Sequence, residues 1–302
     1  MKKRLIVLIS LTLLFAFAMA ACVPGEIKPK GEKMNDVQTA EYYEELSKKL
    51  EDKENVLPAD IWYKESMHFT MEMRNEENKD SYVTMEMSLN GKHLRTPFAY
   101  DEKYTYDFSI KVVNSSKEEG EKAEVATTTM RGKFFKVEGA IYAEITMKAN
   151  GNGSKIESKA KLSERGFGDF VKYLQTLSNG SDLSVLSGGT YLDPRLMIES
   201  LTEEGEFYKF KNGFSAAMES GYDEDSGDGA APANKMKAVQ VVEFDKDMNV
   251  ASVSEYGAFE MSAVTYKIKT VMGIEIKKTS VGANVKTPKK LYEYESDFSF
   301  GM

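Results

Sequence analysis

Apolar and polar side chains alternate with a period of two along most of this sequence, which constrains its fold more than any other feature. Phe69, Met71 and Met73 alternate with His68, Thr70, Glu72 and Arg74. Val83, Met85, Met87 and Leu89 alternate with Thr84, Glu86 and Ser88, and Tyr104, Tyr106, Phe108, Ile110 and Val112 with Thr105, Asp107, Ser109 and Lys111. Further runs cover 124–137, Ile141 to Met147 and Ile156 to Leu162. A period of two places one kind of side chain on each face, so each run reads as a half-buried β-strand. Asn90-Gly91 reads as a hairpin turn. Six successive strands with short or polar connections make an antiparallel meander the economical topology.

The rest of the chain supplies few helices. Residues 37–54 read as a modest amphipathic helix, with Tyr43, Leu46 and Leu50 on one stripe and Glu44 and Lys48 as an i,i+4 pair. A two-helix insert is expected around Phe167–Leu177 and after Asp193-Pro194, a good N-cap followed by a first-turn proline. Gly221 to Asn234 reads as a loop. Strands resume at Phe207–Phe210, Lys237–Phe244 and Val250–Glu255, and from Phe259 through Val264, Tyr266 and Ile268 to about Ile276. A sheet of about ten strands has one apolar side about 45 Å across. Three short helices cannot cover it, so the sheet has to curl or fold on itself. The expectation is an α+β, mainly antiparallel β fold: a curled meander (half-barrel) of about ten strands, with an N-terminal helix and a two-helix insert. Unless large side chains fill it, such a sheet encloses an apolar cavity.

The amino end carries a second signal. Met1-Lys2-Lys3-Arg4 is a basic head, Leu5 to Met19 an apolar run, and Ala20-Ala21 a pair of small residues before Cys22, the only cysteine among 302 residues. That is the order of a secretory signal, and its apolar run is too short to span a bilayer. Of the 40 basic residues three lie in this head. The remainder carries 37 against 48 acidic residues, a net charge of −11, which argues against a nucleic-acid partner and against electrostatic attachment to anionic lipid.

No residues for familiar chemistry are grouped in the sequence. One cysteine excludes a disulfide framework, a zinc ribbon or an iron–sulfur site within the chain. His68 and His93 have no ligand-spaced partners and read as surface residues. The sequence contains no nucleophile elbow, phosphate loop or zinc-protease motif. The expectation is a non-enzymatic protein with no catalytic residue, no metal and no cofactor. Asp223 to Gly229 starts like a calcium loop, but its twelfth position is Asn234, so it reads as an acidic solvated loop.

Met19-Ala20-Ala21-Cys22 resembles a bacterial lipobox. The resemblance implies that Cys22 is diacylated, becomes the mature N-terminus and anchors the chain to a membrane; two acyl chains hold stably where one is marginal. The order of helix, meander, insert and closing strands is similar to the lipoprotein-carrier superfamily, the LolA, LolB and LppX-type proteins. Val239 to Pro288 is the closest part, ending on Asn284-Val285-Lys286-Thr287-Pro288. The implied organisation is a signal peptide at 1–21, a flexible tether at 22–36, a single β domain at 37–290 and an aromatic tail at 291–302. The implied function is binding of a lipid or other hydrophobic ligand on the concave face, at the extracytoplasmic side of the cell membrane, or in the outer membrane of a two-membrane cell. Phe69, Met71, Met73, Met85, Met87, Tyr106, Phe108, Ile145, Met147, Met261 and Tyr266 are the candidate ligand residues. The alternative is an envelope assembly lipoprotein with a solid core and an unknown protein partner. In the tail, Tyr292, Tyr294, Phe298 and Phe300 could cap the cavity or pair as an edge strand.

Overall fold

The computed structural model describes residues 25–51, 60–96, 101–117, 122–149, 155–163, 205–222, 234–262 and 265–294. Cys22, the helical insert, the loop 223–233 and residues 295–302 lie outside them. A two-residue strand, β1 (Glu32–Lys33), precedes helix α1 (Asp36–Glu51). Six strands follow: β2 (Ile61–Asn75), β3 (Tyr82–Arg95), β4 (Lys103–Ser116), β5 (Glu124–Val137), β6 (Ala140–Ala149) and β7 (Lys155–Leu162). The second series is β8 (Glu206–Phe210), β9 (Gly213–Tyr222), β10 (Asn234–Phe244), β11 (Val250–Ser262) and β12 (Tyr266–Thr279). All twelve form one sheet in the order β1-β8-β9-β10-β11-β12-β2-β3-β4-β5-β6-β7. The chain enters at one edge and marches from the centre outward to β7. It then returns to β8 and marches back until β12 pairs with β2. The sheet is curled and unclosed, with β1 and β7 as its edges.

Local chemistry accounts for each element. Asn35 and Gln38 make a reciprocal capping box at the start of α1: Gln38 N–H donates to Asn35 Oδ1 (2.9 Å), and Asn35 N–H to Gln38 Oε1 (3.0 Å). The helix buries Leu46, and Tyr42 sets its ring against Phe207 and Phe214. Lys48 and Lys49 close its last turn, where cations oppose the helix dipole. In the strands, each register pair shares a face, so the alternating apolar residues form one continuous inner surface. Phe108 stacks on Phe134 at 4.6 Å, and Phe207 on Phe214 at 5.2 Å.

Several expectations need correction. There are twelve strands among the described residues, not about ten; the expected two-helix insert lies outside them. Asn90-Gly91 is no hairpin: β3 runs straight through it. A Cβ on Gly91 would lie 2.3 Å from the Thr105 carbonyl oxygen and 2.3 Å from the Tyr106 ring. The glycine is there to let its cross-strand partner Tyr106 lie on the backbone. Gly132 serves Phe108 in the same way, at 2.6 Å. Stacking an aromatic ring over a paired glycine lets neighbouring strands approach on the inner side and promotes curling. Strand β9 escaped notice because its outward residues are small. Ser215 is fully buried on the outer face, where Lys30 N–H donates to its Oγ (2.8 Å) and its hydroxyl donates back to the Lys30 carbonyl (2.9 Å). β11 also continues through Gly257, where the sequence suggests a break, to Ser262, and the antiparallel β12 begins at Tyr266.

The first and the last described segments are straps on the outer face. The segment expected to be a free tether is attached from Glu26 onward. Glu26 pairs with Lys237, Lys30 Nζ reaches Glu243 at 2.5 Å, β1 joins β8, and Met34 N–H donates to the Phe207 carbonyl at 2.8 Å. At the other end Lys92 Nζ donates to the Val281 carbonyl (3.0 Å) and Thr287 Oγ1 to Glu138 (2.8 Å). Tyr294 packs edge-on against Tyr142 and donates to Glu144 (2.5 Å). Tyr294 thus lies on the convex side, and Tyr292 is exposed. Phe298 and Phe300 fall outside the described residues.

The glycine packing makes a two-sided prediction. Gly91→Ala is expected to lower stability by about 1–3 kcal/mol through overpacking. Gly257→Ala, whose Cβ would meet nothing within 4 Å, is expected to be neutral or to raise stability by about 0.4–1 kcal/mol. Urea unfolding of both variants beside the parent measures this, and equal losses would contradict the packing described.

Candidate functional site

The register places all eleven candidate ligand residues on the inner face, since each pairs with inner-face neighbours across the sheet. Met71 opposes Met85 and Thr270, Met73 opposes Val83 and Ile268, and Met147 opposes Met130 and Ile156. Tyr266 sits opposite Asn75 at the end of its strand. Their exposure divides them. Phe69, Met85, Met87, Tyr106, Phe108 and Ile145 are core side chains, none more than 8% exposed. Met71, Met73, Met147 and Met261 are half-buried, and Tyr266 is 44% exposed.

The division follows the strand direction. Ile61, Arg95, Lys103, Val137, Phe244 and Thr279 mark one end of the sheet, called the lower end. Asn75, Tyr82, Ser116, Glu124, Lys155, Tyr222, Asn234, Ser262 and Tyr266 mark the upper end. The lower inner face is packed with aromatic and branched side chains, and Leu46 of α1 lies in that core. The upper inner face is lined by half-buried Met71, Met73, Met130, Met147, Met261 and Met272. On its β10–β11 side Ala238 pairs with Gly257, between the pairs Met236–Phe259 and Gln240–Glu255, and a side chain on Gly257 would meet open space. Among the described residues, the upper inner face is the less buried, methionine-lined part of the concave surface.

At the lower end the inner face carries an ion network that the sequence reading missed. Glu65 is 1% exposed, Arg95 2%, His93 1% and Lys136 5%. Arg95 Nη2 donates to Glu65 Oε1 at 3.0 Å, and the Tyr106 hydroxyl donates to Glu65 Oε2. His93 Nδ1 is 3.0 Å from the Tyr106 hydroxyl and 3.8 Å from Glu65, while its Nε2 is 3.7 Å from Glu102. Lys136 Nζ stands 3.7 Å from the other Glu102 oxygen. Burial on its own would raise the Glu65 carboxyl. The charge of Arg95, with the nearby His93 ring and the hydrogen bond from Tyr106, outweighs it and holds the carboxyl at about 2. Burial, and then the Glu65 charge, push the Tyr106 hydroxyl well above its ordinary value, so Tyr106 stays a donor. Arg95 Nε and Nη1 and His93 Nε2 have no hydrogen-bond partner among the described residues.

The signal for this network was in the alternation itself. Glu65 falls in phase with Tyr63, Met67 and Phe69, and His93 and Arg95 in phase with Met85, Met87 and Leu89. Reading Asn90-Gly91 as a turn cut that phase and put His93 on the surface; the continuous strand carries it into the core. His68 lies on the outer face, half-buried, opposite Ser88. Among the described residues no three His, Cys, Asp or Glu side chains are grouped to hold a metal, and no helix is long and apolar enough to cross a membrane. Cys22 and the acidic run at 223–229 lie outside the described residues.

No protein-family model matches the chain, and no curated protein matches it. Among solved structures, a β-barrel-like protein of a domain of unknown function (DUF1849) from Brucella abortus is 8% identical. That match covers 74% of this chain and 99% of the other, with a TM-score of 0.24. The β domain of the Bordetella autotransporter Brka is 6% identical over 73% of this chain and 100% of that one, with a TM-score of 0.25. The translocator domain of the autotransporter NalP from Neisseria meningitidis is 7% identical over 80% and 95%, with a TM-score of 0.18. The likeness extends to a generic β-barrel-like sheet, coarser than the lipoprotein-carrier resemblance, and says nothing of a ligand or an activity.

The ion network can be tested directly. Arg95→Met strands Glu65 in the core and is expected to lower stability at neutral pH by about 3–5 kcal/mol. Glu65 titrates near 4.5 in the unfolded chain and about 2 in the folded one. Its contribution is therefore complete above the first value and fades as the pH falls toward the second. The gap between parent and variant should narrow over that window. Denaturant unfolding at about pH 7 and about pH 3 measures it; a gap that is constant or grows in acid contradicts the account.

Proposed function

We propose that the protein is a lipid-anchored extracytoplasmic binding protein that holds an apolar ligand on the upper half of the concave face. The half-barrel would work in the manner implied by the resemblance to the LolA, LolB and LppX carriers. One observation carries the reading: the inner face is packed below and less buried above, where half-buried methionines line it and Gly257 adjoins open space. Methionine is unbranched and polarisable, so it accepts variable apolar shapes better than a rigid aromatic surface does. A concave, mostly apolar surface with few polar groups is what a hydrophobic ligand requires. The lipobox at Cys22 supports attachment to the cell membrane, or to the outer membrane where there are two.

The alternative, an assembly lipoprotein with a protein partner, draws on the solid lower half and on the edge of β7, unpaired among the described residues. That edge is blunted by Lys155, Lys159 and Lys161.

Binding of a naphthylamine fluorescent probe to the purified protein separates the two. Gly257→Leu fills open space, and Met261→Lys puts a charge on the apolar surface. Each is expected to weaken the probe at least tenfold, about 1.4 kcal/mol, with the fold retained. Organic extraction of the untreated protein should release a lipid detectable by mass spectrometry. No probe binding in the parent, together with an extract free of lipid, favours the assembly reading.

A further inference from the structure

From the path of the amino-terminal strap we infer that the upper rim of the curled sheet, with Val125, Ile156, Met236 and Tyr266, rests on the lipid bilayer. The inference relies on the Cys22 anchor of the proposed function and goes further by fixing which end of the domain meets the membrane.

The strap runs in a definite direction. Lys30 is held at the lower part of β9 and β10 by Ser215 and Glu243, and the next residues turn into β1 beside β8. Four residues earlier, Glu26 pairs with Lys237, three positions from the upper end of β10. Going backward from Lys30 to Glu26, the chain therefore climbs the outer face toward the rim. Only Val23, Pro24 and Gly25 separate Glu26 from Cys22. Four peptide units span at most about 14 Å. From Lys237 to the end of its strand is about 10 Å, and to the lower end about 24 Å. An acylated Cys22 reaches the plane of the rim on so short a leash, but not the lower end.

The rim is suited to that neighbour. Eight large hydrophobic side chains are exposed among the described residues, and four stand at upper strand ends: Val125 (49%), Ile156 (56%), Met236 (37%) and Tyr266 (44%). They come from β5, β7, β10 and β12, so they are spread along the rim and not gathered in one pocket. Scattered side chains of this kind suit the interfacial zone of a bilayer, where a tyrosine's polar tip and apolar body are both accommodated. The domain is acidic, so attraction to anionic headgroups would not hold it there. The covalent anchor supplies proximity, and shallow insertion of the rim sets orientation. The open half of the concave face then looks toward the bilayer, giving a lipid a short path between membrane and sheet.

The chain carries its own control. Its single tryptophan, Trp62, sits near the lower end of β2, about 40 Å from the rim along the strand and beside Gly282, next to the exposed Val281. The full-length lipidated protein is reconstituted in phosphatidylcholine vesicles containing lipid brominated near the headgroup. Emission is compared for the parent and for Trp62→Phe chains carrying Met236→Trp or Ile156→Trp. The rim tryptophans are expected to lose most of their emission, while Trp62 in the parent keeps its own. Unquenched rim tryptophans on a vesicle-bound protein, or a quenched Trp62, overturn the orientation while leaving anchor and ligand binding intact. Mass spectrometry that finds no diacylglyceryl group on Cys22 overturns both the orientation and the anchor, whatever the probe-binding result.

Discussion

A twelve-stranded sheet with one apolar face must hide that face, and the rest of this structure depends on how it does so. Helix α1 is the only long helix among the described residues, and it covers the face at the lower edge near β8 and β9. Among the described residues the lower part of the face packs into one core. Tyr63 of β2 reaches across β12 to the Val250 carbonyl of β11 at 3.2 Å, a bond that ties three adjacent strands together on the inner face. Where aromatic rings lie on paired glycines, as Tyr106 on Gly91 and Phe108 on Gly132, the approach is close and the interior fills. Where the inner positions change to methionine, alanine and glycine, it does not.

The ion network lies at the filled end, and that placement matters energetically. Buried charges carry a large desolvation cost, which at Glu65 the charge of Arg95 and the neighbouring polar groups outweigh. Replacing a buried ion network by apolar residues of similar size is often neutral or stabilising. The network's usefulness is therefore in specificity. A one-residue slip between β2, β3 and β4 would move Glu65, Arg95 and Tyr106 to opposite faces and leave charges unpaired. Long meanders with uniform alternation are prone to such slips, and this cluster pins three neighbouring strands in register at the end where their ladders begin.

Much of this was legible in the sequence, for a simple reason. A period of two is a property of single strands, so strands β2 to β7 and the side each residue faces followed from local alternation. What was not legible depends on partners. Gly91 reads as a turn until Tyr106 is known to lie across it. Ser215 and Ala217 look too small for a strand until the amino-terminal strap is seen to lie over them. Glu65 and Arg95 reveal themselves only when the phase of β3 is carried through Gly91, which joins His93 to the same row. The candidate ligand residues were assigned to the right face and without regard to depth, because alternation gives the side of a strand and not how far along it the interior closes.

The central claim is that one apolar surface is divided along the strands into a closed half and an open half. The seventeen methionines report on it without any substitution, because a thioether is oxidised by peroxide in proportion to its access. Peptide mass spectrometry of the native protein after graded peroxide treatment gives the rate at each position. Met71, Met73, Met147, Met261 and Met272 should oxidise first, with Met67, Met85 and Met87, none more than 3% exposed, lagging far behind. Uniform protection of all eight would mean that the upper half is filled as well. Uniform reactivity would mean that the lower half is not the packed core described, and either result would contradict the account.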